Sequence, residues 1–398
     1  MNTPDTTSGY VGIGIVGLII VGQSTTPTVK DARYINCFKQ KVDGDTYITK
    51  RPGWGDSMTP AAGQKGNDII VWTGQGSKIM SAFGTTNSTL YDSAVSKGAI
   101  TGEVTGFEET FVGTQATLLM SSTDSTGWYY DTAVGVATKI ADAQFPGNAG
   151  YTLAGKFAAM EEGFNCIMTS DGKVWASDSG SVTAWTANSY GTADAYPDQG
   201  IGCVRFKSLL MAFGTASCEF YQNAGLTPFP LQRVKSMTQK VGCVHARTIA
   251  TIGDNVFWAG STDKGGLQIF HYDGTLTPIS TPFVNSILIL AGSTNISLSI
   301  CRFYGLTFVL VKAGATTMAY CVEEKFWHEW NSTTPLWTSV VGVSIGGTQV
   351  NYAVSNVSTS GKVFIMNQAS LVFTDSGAAY TATVQTSERS EGTNRTKF

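Results

Sequence analysis

The sequence predicts an all-β fold, a β-propeller-like disc of six or seven blades made of short antiparallel sheets. Three observations predict it: the 398 residues contain no sustained helical pattern, 45 of them are glycine, and short runs rich in β-branched and aromatic residues recur. A closed all-β architecture can hold well over roughly 200 residues around one core. Radial repetition of small sheets also buries both faces of each blade and leaves only short edges.

Turn dipeptides separate the apolar runs, as expected for serial hairpins; they include Asp171-Gly172, Asp273-Gly274 and Gly361-Lys362. The hairpin units begin near Asp68, Gly106, Gly155, Gly202, His245, Ile300 and Ser344. Their spacing, about 40 to 55 residues, is the length of a four-stranded blade plus a loop. Two units align, residues 204–210 with 301–307, and each reads as a basic residue, Phe, a turn and an apolar strand. An irregular pair of β-sandwiches is the alternative fold.

The chain divides into three predicted regions. Residues 1–30 form an N-terminal arm or docking segment, residues 31–380 the β-propeller-like domain, and residues 381–398 a C-terminal tail that could begin a further β region. Propeller closure usually mixes strands from both chain ends, and a hairpin of Tyr34–Phe38 and Thr46–Thr49 is predicted to supply it. The apolar run Tyr10–Gly22 is too short to span a bilayer, and no Lys or Arg precedes it as in a signal peptide. It predicts a buried β segment and assembly in the cytoplasm.

Charged residues make up 14% of the chain, against about 25% in an ordinary soluble domain. A neutral polar surface suits burial against other subunits, although the neutral exterior of a lectin-like domain would look the same. The net charge of −3, without a long run of Lys or Arg, argues against tight binding to DNA phosphates. Seven singly spaced cysteines indicate a reducing compartment, where a free cysteine behaves as a small buried apolar residue.

No motif predicts catalytic, cofactor-binding or metal-binding residues, so the protein is not expected to be an enzyme or to hold a cofactor. Gly12–Gly17 matches the G-x-G-x-x-G pattern, but no strand precedes it and Gly and Pro follow where a helix should run. His245, His271 and His328 lie in separate predicted strands without a second histidine nearby, which argues against a metal site. His328 is predicted to pack between blades. The nucleophile elbow, the P-loop and the H-E-x-x-H motif are absent from the sequence.

Two features bear on glycosidase chemistry, which needs paired carboxylates. Ser177–Gly180 followed by Trp185 resembles the Asp-box turn of sialidases, but Ala176 stands at the leading position and the Trp comes late. Such turns are structural. The adjacent acids Glu161-Glu162 and Glu323-Glu324 would point to opposite faces of a strand, which favours solvated edges over paired catalysis.

The order of several segments resembles the packaged-DNA stabilisation, head-completion or tail-hub proteins of short-tailed bacteriophages. Near the start, the resemblance rests on Tyr34–Cys37 and on Thr49–Trp54, which contains an Arg-Pro-Gly turn. The most specific part is the ordered series Val174–Asp178, Trp185, Ala193–Ala195, Pro197-Asp198, Gly200–Gly202, Leu210–Gly214 and Glu219–Tyr221. Lys240–Cys243, Phe257–Gly260 and Pro278–Ser280 continue it.

The resemblance implies a virion protein of the head-to-tail connector that forms a ring of six copies. Such a ring extends and seals the DNA channel below the portal, stabilises packaged DNA and reopens for ejection. The implied partners are other copies of the chain, portal or adaptor proteins above, nozzle, needle or tail-fibre proteins below, and double-stranded DNA that passes without sequence-specific binding; no membrane is implied.

Two departures from the family pattern concern the chain ends. The Tyr10–Gly22 run has no counterpart in that pattern, and Val384–Thr386 together with Gly392–Lys397 resemble the entry to a further β region. The alternative function is a propeller-type glycan-binding or glycan-hydrolysing tail module that contacts the host surface. A propeller scaffold for protein binding outside phages is a third possibility.

Overall fold

The computed structural model describes residues 33–42, 45–193, 196, 198–262, 265–331 and 337–385. The predicted arm, the Gly12–Gly17 motif and residues 386–398 of the predicted tail lie outside these residues. Four strands precede the first blade: β1 (Arg33–Ile35), β2 (Cys37–Val42), β3 (Asp45–Lys50) and β4 (Gly55–Met58). Strands β2 and β3 pair as an antiparallel hairpin.

Seven sheets follow one another along the chain as blades, six of them four-stranded and one extended to six strands, which confirms the predicted all-β propeller and fixes the blade number. Blade one contains β5 (Gly66–Trp72), β6 (Lys78–Phe83), β7 (Ser88–Asp92) and β8 (Val95–Ile100). Blade two contains β9 (Val104–Val112), β10 (Gln115–Ser122), β11 (Gly127–Tyr130) and β12 (Thr138–Lys139). Blade three contains β13 (Leu153–Ala159), β14 (Asn165–Thr169), β15 (Lys173–Ala176) and β16 (Tyr190–Thr192).

The remaining blades repeat this pattern. Blade four contains β17 (Gly200–Phe206), β18 (Leu209–Gly214), β19 (Cys218–Asn223) and β20 (Leu231–Arg233). Blade five contains β21 (Ala250–Ile252), β22 (Asn255–Ser261), β23 (Leu267–Tyr272) and β24 (Leu276–Pro278), and helix α1 (Pro282–Ala291) follows it. Blade six contains β25 (Ile296–Phe303), β26 (Leu306–Ala313), β27 (Thr316–Cys321) and β28 (Phe326–Glu329). Blade seven contains β29 (Trp337–Ile345), β30 (Thr348–Ser355) and β31 (Val363–Asn367).

The ring is closed by a strand from the N-terminal region, but not by the predicted hairpin. β4 pairs antiparallel with β31 and becomes the outermost strand of blade seven. β1 instead extends blade six, parallel to β28 and antiparallel to β34 (Thr383–Gln385), while β32 (Thr374–Asp375) and β33 (Ala378–Ala379) form a small hairpin. The closing strand begins six residues after the end of the predicted hairpin at Thr49, and the sequence does not mark it because Gly55–Met58 has few of the β-branched and aromatic residues typical of a strand.

The hydrophobic core is divided among the seven junctions between blades. Each junction holds one cluster of buried side chains from two neighbouring sheets, such as Trp72 and Leu90 of blade one against Phe107 and Met120 of blade two. The last cluster joins Ile69 and Phe83 of blade one to residues of blade seven and so completes the circle. Burial on both faces of every blade explains why the strands read as nearly continuous apolar runs.

Six of the seven predicted starting points fall inside the first strand of a blade, and His245 lies five residues before β21. The two aligned units occupy equivalent hairpins. Arg205 and Phe206, at the end of β17, pair with the first two residues of β18. Arg302 and Phe303, at the end of β25, pair in the same way with the first two residues of β26. The turn residue after each Phe, Lys207 or Tyr304, has a positive φ, so the aligned sequences encode the same hairpin.

Candidate functional site: the central channel, the acidic cleft and the terminal clasp

The first strands of the blades surround a central channel with a cavity of about 410 Å³. It is lined by residues 67–70, 105–107, 156, 246–247, 249–253, 297–300, 302 and 338–342. Its charged lining residues are Asp68, Lys156, Arg247 and Arg302. Asp68 accepts a hydrogen bond from the Phe107 backbone at 3.1 Å, and Lys156 donates to Glu108 at 3.2 Å. The channel therefore holds three cations and one carboxylate, which does not match the acid pair of a glycosidase.

The environment of Lys156 keeps it charged. Burial works to lower the pKa of this lysine, but Glu108 and then Asp68 outweigh burial and raise the pKa above its usual value. A lysine held in this state is a fixed positive charge on the channel wall and not a base. We conclude that the pair with Glu108 fastens blade two to blade three.

A cleft of about 790 Å³ between blades two and three gathers acids, namely Glu108, Glu109, Glu161 and Glu162, with Arg205 at its edge. Glu109 accepts hydrogen bonds from Thr73 and from the Gly74 backbone, so it anchors the turn after β5. Glu161 and Glu162 are exposed as predicted, but they lie in the turn between β13 and β14 and not on opposite faces of a strand. The acids thus hold neighbouring loops or face solvent.

The histidines take separate structural positions. His245 accepts a hydrogen bond from the Arg247 backbone and caps a short 3₁₀ helix, and His271 bonds Asn255 at 2.7 Å and stacks on Phe257. His328 is buried and packs on Tyr34, Phe308 and Phe326. These contacts are with residues of blade six and of β1, and not between two blades as predicted; Trp327 and Trp330 belong to the core clusters of the two flanking junctions. Within the described residues, no group of His, Cys, Asp and Glu could hold a metal ion.

The Asp-box-like turn has a structural role in this protein. Asp178 accepts from the Thr186 hydroxyl at 2.7 Å, and its backbone N–H donates to the Ala184 carbonyl. Trp185 packs edge-on against Phe145 in the core between blades two and three. The turn therefore shapes the loop between β15 and β16.

A buried ion pair joins the two ends of the described chain, and we call it the terminal clasp: Arg51, Asp375, Asn36 and Tyr380. Arg51 is 2% exposed and Asp375 is 1% exposed. The Arg51 guanidinium forms two bonds to the Asp375 carboxylate and donates to Asn36 at 2.9 Å. Tyr380 covers the guanidinium and donates its hydroxyl to the Arg51 carbonyl. The sequence marked Arg51 only as part of the Arg-Pro-Gly turn, since nothing local identifies a partner 324 residues away.

Comparison with known proteins identifies one family. A family model described as Bacteriophage P22 Gp10, beta-propeller, matches residues 38–365. None of the curated proteins matches the chain. Among solved structures, the extracellular domain of the one-component system BT4673 from B. thetaiotaomicron is similar at a TM-score of 0.50 and 10% identity, over 79% of this chain. The similar region spans 40% of that protein, so the likeness concerns the fold.

Proposed function

Because the chain belongs to the bacteriophage P22 Gp10 beta-propeller family, we propose that it is a non-enzymatic structural protein of the phage head-to-tail connector. Copies form a ring, six-fold by the family resemblance, that extends and seals the DNA channel, stabilises packaged DNA and opens for ejection. The family match across the propeller is the observation that carries this proposal. The partners are portal or adaptor proteins above and nozzle, needle or tail-fibre proteins below.

The size of the central channel bears on where DNA would pass. A cavity of about 410 Å³ is comparable to a small-molecule pocket. We therefore propose that duplex DNA passes outside the individual propeller. In a ring, the conduit would lie between copies and be bounded by their outer surfaces, where a net charge of −3 would not retard DNA.

Electron cryomicroscopy of whole particles tests this assignment. We expect a ring of propellers below the portal, and particles that lack the protein should package DNA and then lose it. Particles that retain their genome without the protein, or a position at the tips of host-binding fibres, would contradict the proposal.

We also propose that residues 1–30 are a docking arm whose Tyr10–Gly22 run covers helix α1 of the same chain. The helix buries Val284 and Leu288, but Ile289 and Leu290 are 61% and 86% exposed. The arm joins the fold beside this helix, since the Arg33 guanidinium lies 5.2 Å from the centre of the Phe283 ring. The residues between Gly22 and Arg33 can span about 36 Å, and a ten-residue helix is about 15 Å long.

Hydrogen exchange of the full chain tests the arm. Ile15→Asp should speed exchange in α1, because a charge in the apolar run opposes its packing. Thr25→Asp, outside the run, is the matched control. Equal protection of α1 in the parent and both variants would refute docking in any form. Protection that depends on protein concentration would indicate that a neighbouring copy supplies the arm.

The glycan alternative can be tested on the acidic cleft. A hydrolase would lose activity on host glycans with Glu161→Gln and Glu162→Gln, whereas the connector assignment predicts no turnover in the parent. These acids lie in an exposed turn, which favours the structural role.

A further inference from the structure

Three cations meet at one mouth of the central channel. Every blade begins with its innermost strand, so the first strands run in the same direction and their starting residues share one face of the disc. Lys65 directly precedes β5, Arg247 lies just before β21, and Lys312 pairs with Ser297 at the start of β25. We call this end of the channel, with Lys65, Arg247 and Lys312, the cationic mouth.

Backbone contacts hold the three side chains around the start of blade one. Lys312 Nζ donates to the Trp337 carbonyl at 2.7 Å, and Trp337 pairs with Ser355. Gly66, which follows Lys65, packs closely on Val354 and Ser355 of blade seven, and the Lys65 side chain reaches Glu103 at 3.8 Å. Arg247 Nη1 reaches the Asn67 carbonyl on the other side at 3.4 Å.

The charges at the mouth are poorly balanced. Lys312 and Arg247 contact neutral backbone carbonyls, Lys65 forms an ion pair with Glu103 at 3.8 Å, and Asp68 is the carboxylate on the cavity wall. Burial, then the charges of Lys65 and Arg247, lower the pKa of Lys312 to about 8. Residues 332–336, outside the described residues, contain no acidic side chain in the sequence. Like charges disfavour one another's charged forms, and a bound anion would relieve that repulsion.

Two buried polar atoms beside the cations have no hydrogen-bond partner within the described residues: Asn67 Oδ1 and Thr338 Oγ1. Asn67 is 1% exposed, and both residues line the channel. The Asn67 amide N–H donates to Ser88 Oγ at 2.8 Å, whereas the Thr338 hydroxyl is able to donate to an oxyanion. Buried polar atoms without partners mark a place where a ligand or water belongs.

From this geometry we infer that the cationic mouth binds a small oxyanion of phosphate chemistry. Lys65, Lys312 and Arg247 supply the charge, and Thr338 supplies a neutral donor. The adjoining cavity of about 410 Å³ is of the size that holds small ligands. An anion bound here would tie blades one, five, six and seven together at the axis.

Thermal unfolding of the full chain at constant ionic strength tests the inference, with inorganic phosphate replacing chloride. We expect Tm to rise with phosphate in a saturable manner. Lys312→Met should abolish this rise and, in chloride alone, should melt at or above the parent, because an uncompensated charge has been removed. Lys139→Met, on the exposed outer strand of blade two, should keep the full phosphate response.

Lys65→Met is a second substitution at a more exposed position. It should raise the phosphate concentration that gives half of the full Tm rise at least tenfold. An absent or non-saturable response in the parent would overturn the inference, and so would equal responses in the Lys312 and Lys139 variants. A phosphorylated duplex that stabilises the parent as strongly as free phosphate would place the anion on an outer surface and would also overturn it.

Discussion

At the residue scale, Gly53 is constrained by the close approach of another chain segment. An Arg-Pro-Gly turn predicts a backbone conformation at Gly53 that is costly for other residues. Its φ is not in the positive region, and the constraint is a close approach instead: a Cβ would lie 2.1 Å from the Thr374 carbonyl oxygen. The Gly53 N–H also donates to the Val372 carbonyl at 2.7 Å.

We therefore predict that Gly53→Val and even Gly53→Ala destabilise the fold by about 3 kcal/mol, since backbone must move to make room. Gly55→Ala is the matched control, because its Cβ would have its nearest neighbour at 3.7 Å. Urea unfolding would measure both. Equal midpoints for the Gly53 and Gly55 variants would show that the close approach is not important for stability.

His328 predicts a specific loss of stability in acid. Burial, and then the charge of Lys39, lower its pKa to about 3, below the usual 6.5. Between these two pKa values, His328 is protonated in the unfolded chain and neutral in the folded chain. The free energy of unfolding therefore falls as the pH decreases from about 6.5 towards 3. His328→Phe should flatten this part of the pH profile of unfolding free energy. If the slope of this profile were unchanged in the variant, other titrating groups would be responsible for the loss of stability in acid.

At the element scale, the terminal clasp connects the segment before β4 to the β32–β33 hairpin. Removing one member of a buried pair leaves the other charge without a partner, which costs roughly 3 to 5 kcal/mol. Asp375→Asn should therefore lower the free energy of unfolding by that amount. Asp171→Asn breaks an exposed pair with Lys173 and should cost less than about 1 kcal/mol. Similar losses for the two variants would argue against a stabilising clasp.

Helix α1 was not predicted, although its boundaries carry ordinary signals. Thr281 caps the N-terminus, Pro282 occupies the first turn and Gly292 follows the last residue. The apolar run Ile287–Leu290 matched a strand equally well, and a ten-residue helix is too short for its period to decide. Packing decides in favour of the helix over a strand, since Val284 and Leu288 fill the core between blades five and six.

At the scale of the whole molecule, the cysteines report on global unfolding. All seven are free and buried, as the sequence predicted for small apolar residues. Burial raises the pKa of Cys37, Cys203 and Cys321 to about 12, so little thiolate exists at neutral pH. We predict negligible reaction of the native protein with a thiol reagent and seven reactive thiols in denaturant. Rapid labelling of any cysteine under native conditions would reveal local opening.

The sequence by itself determined the fold class, the repeat length and the blade starts, because strand periodicity and turn residues act over a few neighbours. It also carried the family resemblance, since the order of segments survives when their spacing drifts. Only the tertiary structure decided that β4 closes the ring, that Arg51 pairs with Asp375, and that three cations from separate blades share one mouth. These depend on contacts between residues far apart in the chain, which become neighbours only when the blades close into a circle.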